Sequence, residues 1–422
     1  MNIIRKTVLY LLSACAAACC AGEQTQDKLL ESARIGDAAA QLRLADEFFF
    51  GRSRAINPAL AAYWYRKAAE QGNAAAQFNL GACHEYGWGT TKSLILAYER
   101  YAQAAGQQLV QAAVRQAELL YTGIPDEEDG KRILPGIPAD RPRALNLLRR
   151  YPNSPAACKS LAKLLLSDRK DRIAHGVEIR SLLEKCNRFP APDPEAMLLL
   201  ATVLQDGIGG NYDQKRAADL LEKTAKTGHP EGMFRYGLLL EHGHGIKPDP
   251  AAAIALYRQA AEKKSPGGMT QLARHLKSGF FVPADLQKAF QLFKKAAELK
   301  YPPAFAEVGD CWCHGIGTAQ SEEAAFIWYI RGAELGDPDA QLKAGECYRL
   351  GKGITADPAG AIYWYRQAAQ QEHPEALRRL GEALLSGYGV KKNQETGIRF
   401  LQKAAQLGDR EAQQLLTTGG NR

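Results

Sequence analysis

The run from Cys311 to His314 brings three side chains that can bind metal ions within four consecutive positions. Zinc is held by cysteine and histidine ligands that converge on one point. On a helix, residues two apart point to nearly opposite faces, so Cys311 and Cys313 diverge. We therefore predict no metal site in this run, and no other pattern in the chain indicates a cofactor.

A serine and a lysine at helical spacing form a second candidate for chemistry. Ser160 and Lys163 make a Ser-x-x-Lys motif, and Lys226 opens a Lys-Thr-Gly tripeptide. Both motifs occur in the serine β-lactamases and penicillin-binding proteins, where Lys-Thr-Gly lies on a sheet strand beside the serine. The sequence predicts no strand anywhere and lacks the Ser-Asp-Asn motif. We predict that the chain is not an enzyme, with a β-lactam-binding or β-lactamase-like protein as an alternative.

A small residue recurs along the chain at a nearly fixed interval, which indicates internal repeats. The interval is 36 residues at all steps but the third and fourth, which are 45 and 39. We call these positions the anchors: Ala40, Ala76, Ala112, Ala157, Ala196, Gly232, Gly268, Ala304, Ala340, Ala376 and Ala412. Each anchor begins a stretch whose apolar residues fall on one helical face.

Each unit carries the same pattern after its anchor. A small residue stands five positions on, as at Gly81, and is expected to let a neighbouring helix approach closely. Glycines follow at eleven and thirteen positions, as at Gly87 and Gly89, where a first helix ends and the chain turns. A second helix then carries an aromatic block and an Ala-Ala pair. Its tryptophans, such as Trp64 and Trp364, are predicted to lie in the core.

This pattern resembles the Sel-1-like repeat (SLR) family, which is related to the tetratricopeptide repeats. The segment 340–409 matches almost residue for residue, and the resemblance covers about residues 36 to 422. It implies an all-α fold, a right-handed α-solenoid of stacked helix–turn–helix repeats of about 36 residues. It also implies a scaffold or adaptor that binds proteins, because one hairpin cannot bury its apolar face alone and arrays expose a long surface.

The regularity divides the chain into four parts. Residues 1–22 are predicted to be a targeting segment, residues 24–123 an N-terminal set of repeats, and residues 196–422 a regular C-terminal set. Between them, 124–195 is irregular and contains a proline-rich insertion. An insertion of this kind is either a tolerated surface loop or a functional one. A bend between the two arrays is a further interpretation.

The N-terminal segment has the order of a secretory signal peptide. Arg5 and Lys6 precede an apolar run, at 7–18, that is too short to cross a bilayer. The residues before Cys15 resemble a bacterial lipobox, in which Cys15 would be lipidated. The alternative is ordinary cleavage after Ala21 or Gly22. We therefore predict export to the periplasm or to an outer-membrane anchor, with secretion as a further outcome.

Export implies an oxidising compartment, in which cysteines form disulfides. Cys158 lies near the start of a first helix and Cys186 near the end of the second helix of the same unit. Antiparallel packing brings those ends together, so we predict a Cys158–Cys186 disulfide. Cys83, Cys311 and Cys347 share one repeat position, about 10 Å apart in stacked helices, and are predicted to be buried thiols.

The surface offers one feature that could bind a partner. The residue three positions after the anchor escapes the apolar face, and five of these residues, which we call the basic row, are Arg43, Arg115, Arg235, Lys343 and Arg379. Stacking would place them along the concave face, where an acidic peptide or an anionic glycan could bind. A solvated polar stripe is the alternative.

The overall charge excludes one class of partner. The net charge of +8 arises from 54 basic and 46 acidic residues in a chain of 422, and both signs are spread along it. Nucleic-acid binding is therefore not predicted, since it needs basic residues gathered on one face. We predict a protein-interaction scaffold of the bacterial cell envelope. A scaffold lipoprotein of an exopolysaccharide export machine, by analogy with lipid-anchored SLR proteins, is the alternative.

Overall fold

The computed structural model describes residues 23–129, 132–190 and 192–419. These residues form tandem helical hairpins arranged in two compact units, with the boundary between Asp213 and Gln214. The predicted all-α array of repeats of about 36 residues is confirmed. Its right-handed sense stays a prediction.

The first unit contains helices α1 to α11 and a two-stranded hairpin in its described part. Their bounds are α1 (Glu23–Arg34), α2 (Ala38–Phe50), α3 (Pro58–Glu70), α4 (Ala74–Tyr86), α5 (Leu94–Gly106), α6 (Val110–Thr122), β1 (Glu127–Asp129), β2 (Arg132–Leu134), α7 (Arg141–Arg149), α8 (Pro155–Ser167), α9 (Arg169–Ala174), α10 (Gly176–Asn187) and α11 (Pro194–Gln205). The irregularity predicted for 124–195 thus takes the form of a hairpin, a short α7 and an extra helix, α9.

The second unit is regular, and each helix but its last has thirteen residues. The helices are α12 (Gln214–Lys226), α13 (Pro230–His242), α14 (Pro250–Glu262), α15 (Pro266–Ser278), α16 (Leu286–Glu298), α17 (Pro302–His314), α18 (Glu322–Glu334), α19 (Pro338–Leu350), α20 (Pro358–Gln370), α21 (Pro374–Ser386), α22 (Gln394–Gln406) and α23 (Arg410–Gly419). First helices of successive repeats contact one another, as α13 contacts α15 and α17 contacts α19.

Local signals fix both ends of the helices. Asp337 precedes α19, and its carboxylate accepts a hydrogen bond from the backbone N–H of Ala340 at 2.8 Å. This satisfies a donor that the first turn of a helix leaves free. At the other end, Gly351 adopts a left-handed conformation (φ 71°) and its N–H donates to Cys347. Glycine adopts that conformation at no steric cost, so the helix stops there.

The core lies between the helices of each hairpin and continues across neighbouring hairpins, since one buried cluster extends from Ala225 to Cys311. A Cβ atom at Gly81 would lie 2.7 Å from the ring of Tyr101, and one at Gly345 would lie 2.5 Å from Tyr365. The prediction that a small residue here permits close approach is thus confirmed. The tryptophans are partly buried and pack against the core as predicted, and Trp64 contacts the buried clusters of two successive hairpins. The fully buried aromatic residues include tyrosines of the second helices, such as Tyr101 and Tyr365, together with Phe49 and Phe293.

The insertion after α6 corrects the expectation that the chain has no strand. Strands β1 and β2 pair antiparallel, with Glu127 opposite Leu134. The Glu127 carboxylate reaches back to the start of α5, where it accepts hydrogen bonds from Leu94 N at 2.7 Å and Ser93 Oγ at 2.5 Å. A negative group is stabilised at a helix N-terminus by the helix dipole. This contact fixes the insertion against the preceding repeat.

None of the helices in the described part of the chain is both long enough and apolar enough to cross a membrane.

Candidate functional site

The basic row lies on first helices. Arg43 is on α2, Arg115 on α6, Arg235 on α13, Lys343 on α19 and Arg379 on α21. Arg43 is exposed, and the other four are partly buried. Three of these four, Arg115, Lys343 and Arg379, contact acidic residues on neighbouring helices.

Five hairpins contain a tyrosine of the second helix that donates a hydrogen bond to a carboxylate of the first helix. We call these the tyrosine–carboxylate pairs. The oxygen–oxygen distances are 2.6 or 2.7 Å in all five: Tyr65–Asp46, Tyr101–Glu85, Tyr257–Glu241, Tyr329–Asp310 and Tyr365–Glu346. Hydrogen bonds to a charged acceptor at this distance are among the stronger ones in proteins.

The environment keeps these tyrosines protonated. Burial raises the pKa of Tyr329, and the negative charge of Asp310 raises it further. The same two causes raise the pKa of Tyr365 beside Glu346. Each phenol is therefore a permanent donor at neutral pH, and the pairs have a structural role within their hairpins.

Three members of the basic row complete these pairs from the next repeat. Lys343 contacts Asp310 at 3.2 Å, and Arg379 contacts Glu346 at 3.0 Å. Arg115 forms ion pairs with Glu85 of the preceding repeat and with Glu118 on its own helix. A carboxylate at these junctions is thus shared between a tyrosine of its own hairpin and a cation of the following one.

At two junctions another side chain replaces the lysine or arginine of the following repeat. At Glu241 the cation position is taken by His275, whose ring nitrogen lies 3.2 Å from the carboxylate. At Asp46 the following repeat offers Asn79 in the position of the basic row, and burial raises the pKa of the Asp46 carboxyl. By contrast, the pKa of Glu346 is lowered, because hydrogen bonds from Arg349 and Tyr365 outweigh its burial.

The two remaining members of the basic row have local acidic neighbours. Hydrogen bonds from the backbone of Ala39 and Ala40 lower the pKa of Asp37, and the charge of Arg43 adds to this effect. Arg235 has the same effect on Glu231, one turn earlier on its helix, although burial leaves the Glu231 pKa raised. Neither arrangement links two repeats.

Sequence reasoning did not identify the tyrosines or their carboxylates as a set. The signal was present, because the tyrosines all stand 25 residues after an anchor. The carboxylates are harder to find, since they stand six residues after the anchor at Asp310 and nine at Glu241. The two positions lie on the same helix face, three residues apart.

Each residue of the candidate serine site contacts an acidic side chain. Ser160 is buried and its hydroxyl donates to Glu118 at 3.1 Å, while Lys163 pairs with Glu195 at 3.0 Å. Lys226 pairs with Glu222 on its own helix at 2.6 Å. Within the described ranges, no cluster of three or more His, Cys, Asp or Glu side chains is placed to hold a metal ion.

Cys158 and Cys186 lie side by side. Cys158 on α8 and Cys186 on α10 are both buried, and they share a small core cluster with Ala196. A hydrogen bond from Cys186 lowers the pKa of the Cys158 thiol. Cys83, Cys311 and Cys347 are buried as predicted, and burial raises the pKa of Cys311 to about 11.

The tyrosine–carboxylate pairs can be tested at Tyr365. Tyr365→Phe should lower the free energy of unfolding by about 2 kcal/mol, because it removes a hydrogen bond to a charged acceptor. The ring is accommodated, since Phe293 already fills the equivalent position of another repeat. Chemical denaturation would measure the effect, with the exposed Tyr363→Phe as the control. Equal stability of the two variants would show that the pair contributes nothing.

Comparison with known proteins gives a consistent result. The Sel1 repeat model matches at 38–73, 74–108, 194–229, 230–265, 266–301, 304–337, 338–373 and 374–409. No curated protein sequence matches the chain.

Several solved structures are similar. A protective antigen of uropathogenic Escherichia coli strains, with an SLR fold, is 22% identical over 92% of this chain and 88% of its own, with a TM-score of 0.52. A Sel1 repeat protein from Oxalobacter formigenes is 27% identical over 58% of this chain and 96% of its own, with a TM-score of 0.48. Helicobacter pylori cysteine rich protein B is 25% identical over 32% and 98%, with a TM-score of 0.27.

The first of these structures shares the fold. The repeat matches cover more than half of the residues and fall on the helical hairpins described above. The chain belongs to the Sel1 repeat family.

Proposed function

We propose that this chain is a protein-interaction scaffold of the bacterial cell envelope, and that the basic row is part of its binding surface. Sel1 repeats generally mediate protein–protein binding. The observation that supports the proposal is the contact between successive first helices, such as α13 with α15 and α17 with α19, because the row stands at one position of these helices. A row of this kind suits an extended partner with acidic groups, either an acidic peptide or an anionic glycan.

The ion pairs described above limit what the row contributes. Lys343 keeps 41% of its side chain exposed and Arg379 keeps 26%, although both are already paired. An acidic partner must share these cations with Asp310 and Glu346, so it gains little net attraction there. We infer that the row sets the register of a partner more than its affinity, as complementary charges commonly do.

Charge reversal tests the row. The triple variant Arg235→Glu, Lys343→Glu, Arg379→Glu should weaken capture of partners from envelope fractions, measured by pull-down and quantified at matched protein concentrations. The control reverses three exposed arginines at one position of the second helices: Arg66, Arg258 and Arg366. Circular dichroism must show that both variants keep their helices. Equal capture by both would remove the basic row from the proposal.

Export is the second part of the proposal. Residues 1–22, including Cys15, lie outside the described residues, so support comes from the basic-then-apolar order of the sequence. If Cys15 is lipidated, Cys15→Ala will move the protein from the membrane fraction to the soluble envelope fraction. If cleavage occurs after Ala21 or Gly22, the substitution will leave the distribution unchanged.

An exported chain should also carry the Cys158–Cys186 disulfide. The adjacent buried thiols support this, because oxidation needs two sulfur atoms already in contact. Protein purified from the envelope and denatured without reductant should leave Cys158 and Cys186 unlabelled by a thiol reagent, while Cys83, Cys311, Cys313 and Cys347 react. Labelling of Cys158 in that preparation would contradict the pairing, and Cys186→Ser, which frees Cys158, is the positive control.

No contact among the residues described above favours the exopolysaccharide or β-lactam alternatives. Ser160 donates its hydroxyl to Glu118, and Lys163 is paired with Glu195. Both alternatives therefore stay predictions without structural support.

A further inference from the structure

The irregular repeat contains two cavities, one on each side of α7. Regular second helices have thirteen residues, whereas α7 has nine, and the extra helix α9 follows α8. One cavity, of about 720 Å³, lies where α7 meets the segment from Asp168 to His175. The other, of about 470 Å³, lies where α7 meets α5 and α6. Asn146 lines both, so we treat them as one surface and call it the α7 groove.

Four of the ten residues that line the first cavity are arginines or lysines, and both of its acidic residues accept hydrogen bonds. Asp168 accepts hydrogen bonds from the backbone N–H of Lys170 and pairs with Arg141 at 2.7 Å. Asp171 accepts a hydrogen bond from Tyr121 at 3.3 Å. Among the described residues, neither Arg169 nor Lys170 has an acidic partner, and both are exposed.

The second cavity combines an apolar wall with two further cations. Ala102, Leu120 and Leu147 contribute to the wall. Arg143 and Arg150 stand at its edge, are exposed, and have no acidic partner in the part of the chain that the structure describes. The α7 groove therefore presents four cations without an ion pair among the described residues, two on each side of a helix, against the single carboxylate of Asp171. By contrast, Arg115, Lys343 and Arg379 of the basic row are ion-paired.

We propose that the α7 groove binds an acidic peptide segment of a partner protein, with carboxylates on both sides of α7 and an apolar side chain in the second cavity. The unpaired cations attract carboxylates, and the apolar wall gives a desolvated contact that charge alone does not supply. Asn146 stands between the two cavities, where its amide N–H group can donate to a peptide backbone crossing the helix.

A nucleic acid fits this surface less well. Single-stranded nucleic acids are bound by aromatic side chains on which the bases stack. Neither cavity is lined by phenylalanine, tyrosine or tryptophan. The groove therefore fits a peptide with carboxylates and apolar residues between them better than it fits a nucleic acid.

This inference rests on the proposed role as a protein-binding scaffold, but it concerns a surface separate from the basic row. The probe is a fluorescently labelled synthetic peptide of alternating glutamate and leucine, and binding to the full chain is measured by fluorescence anisotropy. The double variant Arg169→Glu, Lys170→Glu should weaken binding about tenfold, since two attractive charges become repulsive. The matched control is Lys391→Glu, Lys392→Glu, two adjacent exposed lysines in the second unit, which should bind as the unaltered chain does.

A second variant keeps the test valid if the double variant does not fold. Asn146→Trp adds bulk at an exposed position between the cavities without changing the charge, and should also weaken binding about tenfold. The proposal is overturned if the peptide does not bind the unaltered chain, if both variants bind like the control, or if a labelled oligothymidine binds more tightly than the peptide. Loss of peptide binding in the basic-row variant alone would place the site on the row and not at the α7 groove.

Discussion

The register in which neighbouring repeats stack depends most directly on carboxylates that are shared between two repeats. Each accepts a hydrogen bond from a tyrosine of its own hairpin and an ion pair from the next repeat, as Glu346 does with Tyr365 and Arg379. A partly buried negative charge is costly unless it is both hydrogen-bonded and paired. Neighbouring repeats must therefore stack in the correct register to satisfy it, and apolar packing alone would not demand that register.

The same interaction determines which charged side chains remain available to bind a partner. Side chains that satisfy a junction are not free for a partner, and Arg115 illustrates this with its two acidic neighbours. Where the repeat pattern breaks, around α7 and α9, the stacking constraint is relaxed and cations such as Arg169 remain unpaired. The insertion is not a loose loop, since Glu127 anchors it to the start of α5.

Much of the fold could be predicted because the signals are local and recur. The anchors, the turn glycines and the small residue at Gly81 specify hairpins that only stacking can complete. The hairpin of β1 and β2 was missed, because an acidic run such as Asp126–Asp129 has low strand propensity. Its strand conformation depends on contacts made in the folded structure. The basic row was found as a pattern, but its partners lie about 30 residues away along the chain. Spacing alone does not show whether a charge faces solvent or a carboxylate.

One junction lacks its cation, and the consequence concerns dynamics. Asp46 is held by Tyr65, but Asn79 stands where Arg115, Lys343 and Arg379 stand elsewhere, and the pKa of the carboxyl is raised by burial. A raised pKa means that burial disfavours the ionised form in the folded state, so ionisation of Asp46 at neutral pH lowers the stability of this junction. Among the junctions described above, this one gains least from charge pairing. Local opening should therefore be more frequent at α2 than at α19 or α21, and amide hydrogen exchange would be faster there.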